Sequence, residues 1–315
     1  MNARALVLAV DVGGTKLETA MVDAEGGVIA GTRHRAPTGP ATDAASLDAA
    51  LRDAIARTLA SSPTAPVAAG IGTAGPVDLP AGTTSPLNLP RAAEFPIVRT
   101  VAAASGVSDL TLRLDGACIA LAETWVGAAR GAQDALVFVV STGIGGGILS
   151  GGRLIAGGTG NAGHLGQLVV AASVDDAAGL DTAGGGPGWT AEGLGSGPHT
   201  VAWARWQGWT GDTGEDLAAD AAAGDAIARR AVERSARVVG IAVTNVAMLL
   251  DIDLAVVGGG FARVSADYTE LVERSAHAHA VNAYGRRVRV VPAAAGADAP
   301  LIGAAALHWR ADLLR

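Results

Sequence analysis

Asp11-Val12-Gly13-Gly14-Thr15-Lys16 puts a carboxylate, two glycines, a hydroxyl and an ammonium into one short run. Glycines expose backbone donors and admit a large anion, while Thr15 adds a hydroxyl donor and Lys16 a positive charge. Asp11 could orient water around a divalent cation that bridges phosphates. An ordinary glycine hairpin accounts for the same run. The spacing is not that of a Walker A loop, whose Gly-Lys-Ser/Thr ending is missing. Thr142-Gly143-Ile144-Gly145-Gly146-Gly147 offers a second phosphate cradle, and Gly258-Gly259-Gly260 would let a nucleotide approach a third strand end. Each cluster is weak evidence alone. Their shared placement directly after apolar, strand-like segments is what makes them chemically suggestive.

Those segments must position the clusters. Ala5 to Val12 is apolar until Asp11 and reads as a buried strand. Leu17 to Val22 resumes a strand pattern, and Val28 to Arg33 reads as a third strand after the Asp23–Gly27 turn. An antiparallel start of this kind argues against a dinucleotide-binding βαβ unit. Leu47, Leu51, Ile55 and Leu59 recur every four residues, which predicts a helix over Asp43 to Ser61. Val67 to Thr73 is strand-like, and Pro76, Pro80, Pro86 and Pro90 punctuate a long loop that fits a pocket wall or a plain connection. From Leu136 the opening pattern of strand, glycine turn, strand repeats, predicting two related halves. Leu254 to Gly260 is a further strand-to-glycine junction. Ala218 to Met248 reads as a predominantly helical stretch, and Trp203, Trp206 and Trp209 have the spacing of a packed helical ridge.

Composition limits the functional classes. The chain has 315 residues, 50% of them hydrophobic, and a net charge of -7. That length suits one large or two medium domains with a substantial core. The charge offers no broad basic surface, so neither nucleic acid nor an anionic membrane is an expected partner. Cys118 is the single cysteine, so an internal disulfide and a multi-cysteine zinc site are excluded. No uninterrupted apolar run has the length of a membrane span, and no leader-like pattern opens the sequence. A cytoplasmic location is the expectation.

The three glycine clusters together resemble the ROK branch of the actin-like sugar kinases, over nearly the whole chain. Asp11 through Lys16 match the family's first phosphate loop, Thr142 through Gly147 its second, and Leu254 through Gly260 its adenosine-side strand and glycines. Asn88-Leu89-Pro90 resembles its Asn-Leu-Pro segment, and Leu301-Ile302-Gly303-Ala304-Ala305 its terminal helix. The resemblance implies an α/β, actin-like ATPase fold with two lobes around a cleft: a first lobe over 1–112, a second over 113–300, and a helix over 301–315 returning to the first. It implies ATP and Mg²⁺ as cofactors, held by Asp11, Gly13, Gly14, Thr15, Lys16, Thr142, Gly143, Gly145, Gly146 and Gly258 to Gly260. It implies a sugar or sugar-like substrate held by Gly75, Asn88, Asp115, His164 and Glu192. A homodimer is the implied assembly.

Asp115 in Leu114-Asp115-Gly116-Ala117 matches the family's catalytic base; read without the resemblance, it is a turn or helix-cap residue. Leu114 stands where the family places a sugar-binding Asn. Ala162-Gly163-His164-Leu165-Gly166-Gln167 aligns with Ala-Gly-Glu-x-Gly-His, so His164 replaces a sugar-binding Glu and Gln167 a metal-binding His. Ala183, Gly185 and Thr190 occupy the cysteine positions of the family's zinc motif, while Glu192, Ser196 and Gly197 retain its ending. A variant without structural zinc is implied. The implied reaction is transfer of the γ-phosphoryl group of ATP to a sugar hydroxyl, with lobe closure excluding water. The alternative is a noncatalytic sugar-binding or regulatory ROK-like protein; the helix-turn-helix that opens the family's repressors is not expected, because the kinase-like strand begins by Ala5.

Overall fold

A computed structural model describes residues 5–170 and 189–314 of the chain. They form two α/β units: residues 5–131, 152–163 and 294–314 make the first, and residues 132–151, 164–170 and 189–293 the second.

In the first unit β1 (Val7–Val12) and β2 (Lys16–Val22) form the antiparallel hairpin expected around the glycine run. The short β3 (His34–Pro37) pairs with β2 at its far edge. α1 (Ala44–Ala60) follows, with Asp43 as its cap accepting the Ser46 N–H at 2.9 Å. β4 (Ala68–Thr73) then runs parallel to β1. The proline-rich stretch holds a small hairpin of β5 (Val77–Asp78) and β6 (Thr83–Thr84) before α2 (Ile97–Ser105). β7 (Leu110–Leu114) runs parallel to β4 and passes directly into α3 (Asp115–Trp125). The sheet order is β3-β2-β1-β4-β7.

The second unit repeats the scheme. β8 (Ala135–Val140) and β9 (Ile144–Ser150) form a hairpin. After the short β10 (Arg153–Leu154), which lies in the first unit's residues 152–163, the second unit continues with α4 (Ala191–Gly195), α5 (Gly197–Trp206), α6 (Gly214–Ala222) and the long α7 (Ala226–Leu250). β11 (Leu254–Gly258) is parallel to β8, and after α8 (Tyr268–His279) β12 (Arg289–Pro292) is parallel to β11. The repeat predicted from the sequence is therefore a repeat of topology.

Residues 113–131 belong with the first unit, beyond the boundary expected at 112. The reason is packing: α3 lies against α9 (Ala299–Trp309), which also covers β1 and β4. Glu123, fully buried on α3, accepts the backbone N–H groups of Ala128 at 2.7 Å and Ala295 at 2.8 Å, which fixes both neighbouring segments. Glycines make the close approach possible. A Cβ on Gly70 would fall on the Ala304 carbonyl, and one on Gly303 on the Cys118 carbonyl. Backbone cannot yield there as a side-chain tip can. Gly70→Ala is therefore expected to destabilise the chain by about 2 kcal/mol, read as a lower denaturation midpoint at unchanged m-value. A midpoint equal to wild type would contradict this packing.

Some elements differ from expectation. The third strand is not Val28 to Arg33; Val28 makes only an isolated bridge, Gly31 turns the chain at φ +79°, and the paired strand is the polar edge at His34–Pro37. The Ala218–Met248 stretch is predominantly helical, as read, with a break where Gly224 takes φ +94° and Asp225 caps α7. The tryptophans pack only in part: Trp203 lies against the core and on the Arg234 guanidinium, Trp209 is buried past the end of α5 and donates to Asp220, and Trp206 is exposed.

Candidate active site

Asp11 stands at the carboxyl end of β1, where the chain turns through Gly13 to Lys16 into β2. The Gly13 N–H donates to the Lys16 carbonyl at 2.9 Å and closes the turn. Thr38, just past β3, donates its N–H to the Thr15 carbonyl at 3.0 Å and its hydroxyl to the Gly13 carbonyl at 2.8 Å. Both of those carbonyls are thereby engaged, so what the turn offers a ligand is donors, as an anion site requires. Sequence reading missed Thr38, since only strand pairing brings it to the turn. Asn88 lies over the same turn; a Cβ on Gly14 would run into its amide. The fully buried Leu89 anchors Asn88, and the Leu87 N–H donates to the Gly75 carbonyl at 3.2 Å. Gly13, Gly14, Gly75 and Asn88 thus share one neighbourhood.

Asp115 enters that neighbourhood without an intervening loop. Pairing sets Asp11 opposite Gly72 and Thr73 opposite Leu114, which aligns the carboxyl ends of β1, β4 and β7. Gly72 leaves room: its Cβ would lie 3.7 Å from the Asp11 carboxylate and 3.0 Å from Cys118 Sγ. Asp115 is the first residue of α3, with Leu114 at the cap position, and its carboxylate accepts the Gly116 N–H at 2.7 Å. The helix-cap alternative is therefore not its geometry. Burial pushes the Asp115 pKa up to about 6 against the Gly116 hydrogen bond. Burial, then the Asp115 charge and Glu18, push Asp11 up to about 8, with Lys16 opposing. Two buried hard carboxylates, one of whose charge raises the proton affinity of the other, are a donor set short of positive charge. A hydrated Mg²⁺ fits that deficit. Leu114 is buried and offers a substrate no hydrogen bond.

In the second unit the other glycine runs gather at the ends of β8 and β11. Gly146 packs on the β8 backbone beside Phe138, Gly145 is open, and Thr142 is exposed at the tip. Gly259, at φ +96°, sits against the Val140 carbonyl; Gly258 packs beside Ala293, and a Cβ on Gly260 would lie 3.7 Å from Ser141 Oγ. The Gly197 N–H at the start of α5 donates to the Ser141 carbonyl at 2.9 Å. Glu192, read as a polyol ligand, engages this loop: it accepts the Ile144 N–H at 2.7 Å, and a Cβ on Gly143 would lie 2.6 Å from the same oxygen. Gln167 donates to its other oxygen at 3.4 Å. His164 is half-buried within the electrostatic reach of Glu192; burial lowers its pKa and Glu192 opposes this. His199, which sequence reading did not single out, faces Glu192 likewise and pairs with Ser196 Oγ at 2.8 Å. Thr190 caps α4 by accepting the Gly193 N–H at 3.1 Å, while Ala183 and Gly185 lie outside the described residues. Among the described residues no three His, Cys, Asp or Glu side chains form a group that could hold a metal ion, and no helix is long and apolar enough to cross a membrane.

The profile of the ROK family matches residues 7–311. The chain is 31% identical over 275 residues to an N-acetylmannosamine kinase of Escherichia fergusonii, covering 84% of this chain and 86% of that one. It is 33% identical over 214 residues to the bifunctional enzyme NanE/NanK of Brucella suis; that match takes in 68% of this chain and spans only 37% of the length of the relative. The structure of a ROK hexokinase from Thermus thermophilus superposes with a TM-score of 0.77 at 31% identity, covering 95% of this chain and 96% of that one. The fold is thus the actin-like ATPase fold of the ROK sugar kinases.

Proposed function

The chain belongs to the ROK family, and from that premise we propose that it transfers the γ-phosphoryl group of ATP to a hydroxyl of a sugar or sugar-like molecule. The observation that carries the reading is the meeting of Asp11, the Gly13–Gly14 turn, Asn88 and Asp115 at the aligned ends of β1, β4 and β7. Asp115 accepts the proton of the attacking hydroxyl, and a pKa of about 6 leaves it mostly ionised at neutral pH. In the first unit the donors of the Gly13–Lys16 turn suit phosphate oxygens; in the second, the likeness to the family assigns Thr142 to Gly146 to phosphate and Gly258 to Gly260 to the nucleoside. Asp11 would hold Mg²⁺ through water; bound there, the ion neutralises charge on the phosphates.

Asn88, Gly75, His164 and Glu192 are assigned to the sugar. With Leu114 buried and His164 neutralised by burial, the substrate meets fewer charged acceptors than a Glu at position 164 would give it. Chemically modified sugars, among them N-acetylated hexosamines, therefore belong in the test beside glucose. In this reading Glu192 keeps one oxygen on the Ile144 N–H of the second loop, and the other, which accepts from Gln167 at 3.4 Å, is the one assigned to the substrate.

The protein acts in the cytoplasm as a homodimer and holds no structural zinc, because Gln167 and Thr190 replace ligands and Cys118 is the single cysteine. An ATP-coupled assay across a sugar panel tests the activity, with and without prior chelation of zinc. The expected result is a phosphorylated product from at least one sugar, at a rate chelation does not change once Mg²⁺ is restored. Tight binding of a sugar without product, across the panel, would support a noncatalytic binding protein instead.

A further inference from the structure

A charged row runs across the first sheet beside the Gly13–Lys16 turn. Register sets Arg35 on β3 opposite Glu18 on β2, and Glu18 opposite Asp11 on β1. Residues paired in register project to one face, and Lys16, two residues before Glu18, shares it. Glu18 is buried, with a relative exposure of 3%. One of its oxygens accepts from Arg35 Nε at 2.9 Å and Nη2 at 2.7 Å; the other accepts from the Lys16 ammonium. Burial raises the Glu18 pKa, and the hydrogen bonds from Lys16 and Arg35 outweigh it, so the carboxyl is held below its ordinary value and stays ionised.

Two cations on one carboxylate leave one positive charge in excess. A lone Glu18–Lys16 pair would cancel itself and draw the ammonium onto the carboxylate. Arg35 occupies the other oxygen and supplies the second charge. Lys16 is then tethered by one hydrogen bond, and an ammonium has three donors. A lysine side chain loses rotamer entropy when it is ordered, and a buried anchor takes up that loss before any ligand arrives. The excess charge sits on the turn whose carbonyls Thr38 has taken up, so donors and charge face the same anion.

We propose that Glu18 is a positioning residue of the nucleotide site, which holds the Lys16 ammonium ready for the polyphosphate of a nucleoside triphosphate, and that Arg35 keeps this ammonium shareable by binding the opposite oxygen of Glu18. The assignment rests on the kinase reading and adds to it two residues that touch no substrate. It concerns phosphate, not nucleoside, and that difference makes it testable.

The experiment is calorimetric titration of the full-length protein with Mg-ATP and, separately, with adenosine, joined to steady-state kinetics. Glu18→Gln is expected to weaken Mg-ATP binding on the order of tenfold, the loss of one charge-assisted tether. Adenosine affinity and the KM for sugar should stay within about twofold of wild type, and Glu18→Asp should recover part of the loss. Arg35→Gln, at a more exposed position, should weaken Mg-ATP binding about threefold, with Arg35→Lys restoring it; this variant decides the matter should Glu18→Gln fail to fold. Equal weakening of ATP and adenosine, or unchanged ATP affinity in folded variants, overturns the proposal while leaving the kinase reading intact. Absence of any ATP binding by the wild-type chain removes the kinase reading and this inference together.

Discussion

Replacing Asp115 by Asn is expected to lower kcat at least about 100-fold while nucleotide affinity and fold persist. Asp115 begins α3 where β7 ends, so its backbone is fixed by the sheet on one side and the helix on the other. Asn keeps the size and can still accept the Gly116 N–H through its carbonyl oxygen, which is why the local fold should survive. What Asn lacks is basicity. The hydroxyl that attacks the γ-phosphorus must lose its proton, and the other carboxylate at these strand ends, Asp11, is assigned to hydrated Mg²⁺. The pH profile adds a check. A base works when deprotonated, so wild-type kcat/KM should fall as pH drops through about 6, the value to which burial raises Asp115. The residual activity of Asp115→Asn should lack that limb. Turnover near wild type from a folded Asp115→Asn protein, with matched circular dichroism and nucleotide titration, would remove Asp115 as the base.

Gly14→Ala is expected to cost roughly 30-fold in kcat/KM with little loss of stability. Gly14 does not adopt a positive φ, so alanine suits its backbone. The added Cβ meets the Asn88 amide, the end of a side chain that can swing aside. Swinging aside removes Asn88 from the turn, where it is assigned to the substrate. A double-mutant cycle with Asn88→Ala separates the two effects. If the alanine at 14 acts by displacing Asn88, the double variant is no worse than the poorer single one. Additive losses would show that Gly14 acts on the phosphate side alone.

Much of the fold was legible because strand-to-glycine junctions are local signals. An apolar run ending at Asp11 followed by Gly13-Gly14 has few folded solutions, and its recurrence at Leu136 pointed to a repeated topology that β8, β9 and β11 then display. The polar edge strand at His34–Pro37 was not legible, because the apolar Val28-Ile29 pair imitates a strand better than His34-Arg35 does. The break at Gly224 was hidden by alanine on both sides. For the site, Asp11, Gly14, Asn88 and Asp115 were identified from motif likeness, and the structure brings them together. Thr38, Glu18 and Arg35 were not, since their relation to the turn exists only through the β2–β3 register. A period-two reading of Lys16 and Glu18 was the one available signal. Glu192 was named for a substrate role; its bond to the Ile144 N–H depends on a contact across 48 residues of sequence that no local pattern announces.

The central claim is that the γ-phosphoryl group of ATP ends on a sugar hydroxyl. Incubation of the wild-type protein with γ-³²P-labelled ATP, Mg²⁺ and each sugar of the panel, followed by separation of sugar phosphates from inorganic phosphate, tests it most directly. The account predicts that for at least one sugar the label moves to a sugar phosphate in step with ADP formation, and that Asp115→Asn slows this transfer at least about 100-fold. Label that remains on ATP, or that appears only as inorganic phosphate with every sugar bound and present in excess, would contradict it.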